Sequence, residues 1–253
     1  MNALVRAALL GTVSALALYG CANPQLVRQR HRAAVFNTEL GIAYLQRGQL
    51  ALAKRKLDDA EREDPGNADV QIARALLFER LLEPKRADRA FRRALAISPR
   101  NPDYQNDYAV YLCGNGRYAA GVRYFLAAAR NPLYLTPADA FNNAGVCLRA
   151  ERHDAQAIKM FRSALAINPG FAHALWELAD LNFKQGRLQQ AHAELVQFLS
   201  AHRATANLLL LAVRVMHAQG DALDAVLYAR RLQLDFPDSP QAHALAALGL
   251  SSG

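Results

Sequence analysis

The chain has 253 residues, 52% of them apolar, and a net charge of +8 with a pI near 9.7. Its 10 prolines and 14 glycines are too few for a disordered or collagen-like chain, and its length allows a sizeable core. The basic balance does not by itself point to nucleic acid, because arginines such as Arg89, Arg92 and Arg93 are scattered along helical stretches and are not interleaved with aromatics in a patch. At the N-terminus, Arg6 and the free amine precede an uncharged and mostly apolar run from Ala7 to Leu18. That is the length of a secretory h-region and too short for a membrane-spanning helix, so residues 1–20 are predicted to be a signal peptide.

The signal ends in Leu18-Tyr19-Gly20-Cys21, which resembles the bacterial lipobox, although Tyr19 stands where a small residue is usual. The resemblance implies cleavage after Gly20, a diacylglycerol thioether on Cys21 and an acyl chain, palmitate, on the new amine. Two or more chains would give a stable anchor. Ala22 follows, where an Asp would retain such a lipoprotein in the inner membrane. The implied location is therefore the periplasmic face of the outer membrane. Residues 21–33, with Pro24 and the arginines of ANPQLVRQRHR, are expected to form a flexible tether.

The mature chain repeats. Small–large–small triplets at i, i+4 and i+7 recur as Ala53-Leu57-Ala60, Ala87-Phe91-Ala94, Gly121-Phe125-Ala128 and Ala157-Phe161-Ala164. Weaker versions follow at Ala191-Leu195-Phe198 and Ala225-Ala229-Leu232. The first members recur at one constant interval, lengthened only between Gly121 and Ala157. Residues so spaced share one helix face, where small side chains let a neighbouring backbone approach. Pro65, Pro99, Pro169 and Pro237 stand where second helices must stop, and Gly48, Gly116, Gly186 and Gly220 where first helices must turn. This pattern, with its interval of about 34 residues, resembles the tetratricopeptide repeat (TPR), a helical hairpin. It implies an all-α, right-handed TPR superhelix, an α-α solenoid of about six repeats. The repeats are placed at 34–67, 68–101, 102–137, 138–171, 172–205 and 206–237, with a two-residue insertion between Asn131 and Pro137. Asp238-Ser239-Pro240 looks like a helix start, and 238–253 is predicted to cap the apolar helix around Leu208–Met216.

No phosphate loop, HExxH or GxSxG occurs, and the seven His residues are dispersed. The chain is therefore expected to be no enzyme and to need no metal, cofactor or small-molecule substrate. Trp176, alone on a first helix, is most simply a packing residue. Without Cys21, two cysteines remain, Cys113 and Cys147, late in the first helices of repeats three and four. A bridge is open to them if their Cα atoms lie within about 7 Å, and two buried thiols are the alternative.

Three segments carry a narrower resemblance: Asn106-Asp107-Tyr108-Ala109-Val110-Tyr111-Leu112-Cys113, the stretch from Asn131-Pro132-Leu133-Tyr134 to Asn142-Asn143-Ala144-Gly145-Val146-Cys147, and Leu234-Asp235-Phe236-Pro237-Asp238-Ser239. With the lipobox and the repeat number, they resemble the type IV pilus biogenesis and stability lipoprotein family, PilW or PilF. That family's implied job is the pilotin's: to escort the outer-membrane secretin of the type IV pilus and promote its assembly. A general periplasmic TPR scaffold for envelope enzymes or outer-membrane protein assembly is the alternative. Compartment, parity, neighbouring helices and this resemblance together predict a Cys113–Cys147 disulfide. The partner groove is expected along the first helices, at Val35, Thr38, Ile42 and Leu45 of repeat one and Ile72 and Leu76 of repeat two, flanked by Asp69 and Glu79. Asn142, Arg149, Asp180, Arg214 and His217 give repeats four to six a more polar lining. Burial of the apolar set between helices is the competing reading.

Overall fold

A computed structural model describes residues 23–245. The predicted signal peptide, Cys21 and the end of the predicted cap lie outside them. The described chain is all-α. Its helices are α1 (Pro24–Gln46), α2 (Leu50–Glu63), α3 (Ala68–Arg80), α4 (Pro84–Ile97), α5 (Pro102–Gly114), α6 (Tyr118–Ala129), α7 (Pro137–Ala150), α8 (Asp154–Ile167), α9 (Ala172–Lys184), α10 (Leu188–Ala201), α11 (Ala206–Gln219), α12 (Ala222–Asp235) and the short α13 (Pro240–His243). Consecutive pairs from α1/α2 to α11/α12 form six TPR hairpins. Contacts divide the chain into a unit ending at Ile97, with the first two hairpins, and a unit from Ser98, with the other four and α13.

The small–large–small triplets are the seams of these hairpins. Leu57, Phe91, Phe125, Phe161, Leu195 and Leu232 are all buried, with the small residues beside them. Each such burial contributes about 1.5–3 kcal/mol. The small residues have to be small: a Cβ on Gly145 of α7 would lie 2.5 Å from Phe161 Cε1.

Each first helix ends in the same turn. Gly48, Gly116, Gly186 and Gly220 adopt φ between +70° and +80°. Leu82 (φ 57°) and Arg152 (φ 63°) hold the equivalent places in the second and fourth hairpins. The hydrogen bonds repeat as well. In the second hairpin Leu82 N–H donates to Glu79 O at 3.0 Å and Glu83 N–H to Phe78 O at 2.8 Å. In the first, Gly48 N–H donates to Leu45 O at 3.0 Å and Gln49 N–H to Tyr44 O at 2.9 Å. A left-handed residue after the last helical turn lets its own amide and the next one reach back to carbonyls the helix leaves unpaired.

The expectation of a flexible tether needs correction. From Pro24 onward it is the start of α1. Asn23 Oδ1 accepts from Gln25 N–H at 2.9 Å, Pro24 occupies the first turn where its missing N–H costs nothing, and the arginines that follow are good helix formers. His31 Nδ1 lies 2.7 Å from Asp64 Oδ2, which ties this extension to the end of α2.

At the other end, Ser239 Oγ accepts from Ala242 N–H at 3.1 Å and Pro240 opens α13. Ala242 and Leu245 are buried in the same cluster as Leu208, Leu209 and Leu211. The inserted loop between α6 and α7 is held by Asn131, whose Nδ2 donates to Arg100 O at 2.9 Å, and by the buried ring of Tyr134.

Candidate partner-binding surfaces

In the N-terminal unit, α1 and α3 present a cleft of about 230 Å³ lined by Val35, Thr38, Glu39, Ile42, Asn67 and Asp69. The six residues expected to line a groove divide evenly. Val35 (38% exposed), Ile42 (37%) and Leu76 (36%) face outward, while Thr38 (5%), Leu45 (7%) and Ile72 (8%) are buried. Leu45 and Ile72 are core residues, a correction to their assignment as lining. They lie on the face of each first helix that turns toward the neighbouring helices. Thr38 donates its hydroxyl to Ala34 O at 2.7 Å and still forms part of the cleft floor. The cleft is smaller than an ordinary small-molecule site and suits one or two side chains of a partner. Val35 and Ile42 give it apolar walls, and Glu39 and Asp69 add carboxylates to the lining.

The C-terminal unit offers a different lining. Asn142, Glu177, Asp180 and Asn182 are buried polar side chains on α7 and α9. Arg149 of α7 reaches across to both Glu177 and Asp180 of α9. Lys184 Nζ lies 2.9 Å from Asp180 Oδ2, and His173 Nδ1 lies 3.3 Å from Asn142 Oδ1. Burial opposes the Arg149 charge, but the hydrogen bond to Asp180 and the attraction of Glu177 outweigh it and hold its pKa above the ordinary value. Of the other residues expected here, Arg214 stacks over the Phe183 ring at 5.3 Å and His217 is exposed. The polar lining is thus a ready-paired ionic strap between two first helices.

Sequence reasoning missed Glu177, Asn182, Lys184 and Glu194. The spacing of Glu177, Asp180 and Lys184 on one face of α9 was a usable signal. The pairing of Glu177 and Asp180 with Arg149, which lies one repeat earlier in the chain, was not visible as a local pattern. Asn182 Nδ2 donates to Glu194 Oε2 at 2.7 Å and its Oδ1 accepts from Arg187. Burial pushes the Glu194 carboxyl pKa up, and Asn182 and Arg162 offset part of that.

Cys113 of α5 and Cys147 of α7 are joined by a disulfide, with Cα atoms 5.7 Å apart. A side chain on Gly121 of α6 would run into Cys113 Sγ, so the intervening helix is glycine where the bridge passes. Trp176 packs against the cluster around Leu175 and Leu195. A second cleft, of about 740 Å³, lies along α8 and the turns beside it, with Arg152, Lys159, Arg162 and Arg187 among its walls. Among the described residues no three His, Cys, Asp or Glu side chains converge as a metal site, and no helix is long and apolar enough to cross a membrane.

Tetratricopeptide repeat family models match residues 38–102 and 106–171, and a further one matches 148–206. The type IV pilus assembly protein PilF of Pseudomonas aeruginosa is 32% identical over 241 residues, spanning 93% of this chain and 95% of its own. Its solved structure superposes with a TM-score of 0.68 at 31% identity, covering 87% of this chain and 99% of that one. The structure of PilW, described as a widely conserved type IV pilus biogenesis factor, gives 0.66 at 29% identity, covering 84% and 98%. A TPR protein of Parabacteroides merdae, at 18% identity and a TM-score of 0.56, is similar in fold alone.

Proposed function

Because the chain belongs to the tetratricopeptide repeat family and is related along nearly its whole length to the type IV pilus protein PilF, we propose that it is an outer-membrane lipoprotein that binds the pilus secretin and promotes its localisation and assembly. The observation that carries this reading is the relation to PilF over 93% of this chain and 95% of PilF. Anchoring falls to Cys21, and Ala22 after it directs the protein to the outer membrane. The chain acts by binding, not by catalysis. The cleft between α1 and α3 receives an apolar side chain of the partner at Val35 and Ile42, and Leu76 extends the contact.

The test begins with solubilised envelopes passed over the immobilised chain. The secretin is expected as the main captured protein, and its absence would sink the function. Ile42→Asp places a charge on an exposed side chain, so helix content and melting should be kept while capture is lost. A folded Ile42→Asp that recruits secretin normally would remove the cleft from the account. Cys21→Ser is expected to move the protein to the soluble periplasmic fraction.

A further inference from the structure

The helical extension at the start of α1 has a composition unlike the rest of the chain. Residues 22–38 contain Arg28, Arg30, Arg32 and His31 and no acidic residue. All three arginines are exposed. Arg28 Nε donates only to its own helix, to Pro24 O at 3.2 Å. Two carboxylates at the end of α2 are already used: Asp64 by His31 and Glu63 by Asn37, at 3.0 Å. Leu26 (46%) and Val27 (51%) stand open beside the arginines. Val27 lies seven residues before Ala34, on the same face, so it continues the core seam of α1 past the point where α2 covers it.

Geometry decides what such a helix end can meet. At about 100° per residue, Arg30 points away from Arg28 and Arg32. The charges therefore collar the helix instead of forming a stripe, which suits a helix standing on its end better than one lying flat. Arg28, Arg30 and Arg32 sit about 6, 9 and 12 Å along the axis from Pro24. The three residues from Cys21 to Pro24 span at most about 10 Å.

We propose that the first turns of α1 make an end-on contact with an anionic phospholipid surface. Arg28, Arg30 and Arg32 engage headgroup phosphates around the helix, and Leu26 and Val27 enter the boundary with the acyl chains. The inference rests on the reading of Cys21 as the lipidated residue, which would hold this end of the helix at the bilayer. The collar then sets α1 upright and fixes which way the cleft between α1 and α3 faces.

The contact is measurable without the lipid. The chain from residue 21 with Cys21→Ser is mixed with vesicles of equal parts phosphatidylglycerol and phosphatidylcholine, and with pure phosphatidylcholine, and the bound fraction is read by sedimentation. Preference for the anionic vesicles is expected. Arg28→Gln, Arg30→Gln and Arg32→Gln together should weaken it on the order of 100-fold. Melting of the triple variant is followed in parallel to show that the fold is kept. Equal binding to both vesicles, or a triple variant that binds as before, overturns the proposal. So does an equal loss on neutralising Arg152, Lys159 and Arg162, which would place the contact at the α8 cleft. Incorporation of labelled palmitate in cells, lost on Cys21→Ser, tests the anchor separately. Label incorporated without any anionic preference would overturn the collar and leave the anchor. Anionic preference without label would support the collar and remove the anchor.

Discussion

Replacing Leu82 by glycine should stabilise the protein. Leu82 occupies φ 57°, in a place where four of the six hairpins use glycine. A side chain in the left-handed region costs about 1–2 kcal/mol. Glycine gives back about 0.5–1 kcal/mol through the greater freedom of the unfolded chain. Little burial is lost, because Leu82 is 87% exposed. Both reach-back hydrogen bonds, from Leu82 N–H and Glu83 N–H, are backbone bonds and survive the change. The net gain centres on about 0.75 kcal/mol, or a rise in Tm of roughly 2–3 °C for a chain of this size. Melting followed by circular dichroism measures it, with Leu82→Asn expected between wild type and Leu82→Gly. A Tm that stays level or falls in Leu82→Gly would refute the account of these turns.

Three further outcomes follow from the same structure. Removing the bridge with paired Cys113→Ala and Cys147→Ala should cost roughly 3–4 kcal/mol for a loop of this length, seen as a lower urea midpoint than in the oxidised protein. Gly145→Ala should destabilise by about 1–3 kcal/mol, since the fully buried Phe161 cannot retreat from a Cβ, and an unchanged midpoint would contradict the tight seam. Glu194, with its folded pKa raised by burial, binds its proton more tightly in the folded state. Its contribution to stability therefore falls as pH rises from the ordinary carboxylate range to the raised value. Glu194→Gln keeps an acceptor for Asn182 and lacks this penalty. Its advantage over wild type should grow as pH rises above the ordinary carboxylate range, and a difference independent of pH would refute the assignment.

Periodic features were the ones legible in the sequence. The triplets marked each hairpin seam because packing between antiparallel helices needs small residues at fixed spacing, and four of the six left-handed turns were announced by glycine. The other two were hidden, because Leu82 and Arg152 take that conformation under the pull of the same two backbone hydrogen bonds. Pro24 was misleading in a different way. Proline breaks a helix from within but starts one when a capping side chain precedes it, and Asn23 supplies that side chain. The cleft was half legible. Spacing placed Val35, Ile42 and Leu76 on the correct helices, but only the packing of α2 and α4 decides which apolar residues are left outside. The strap from Arg149 to Glu177 and Asp180 depends on contacts between repeats, and a search for patterns within one repeat passes over it.

The bridge between α5 and α7 also shapes how the chain responds to force. A pull applied at the two ends of the chain runs through the Cys113–Cys147 link and bypasses everything between them, helix α6 included. The 34-residue step between the two cysteines then never enters the loaded path. In single-molecule stretching, the oxidised chain should stop short of the reduced one by about 110 Å of contour length. Under load the oxidised protein would thus keep one hairpin's worth of chain out of tension.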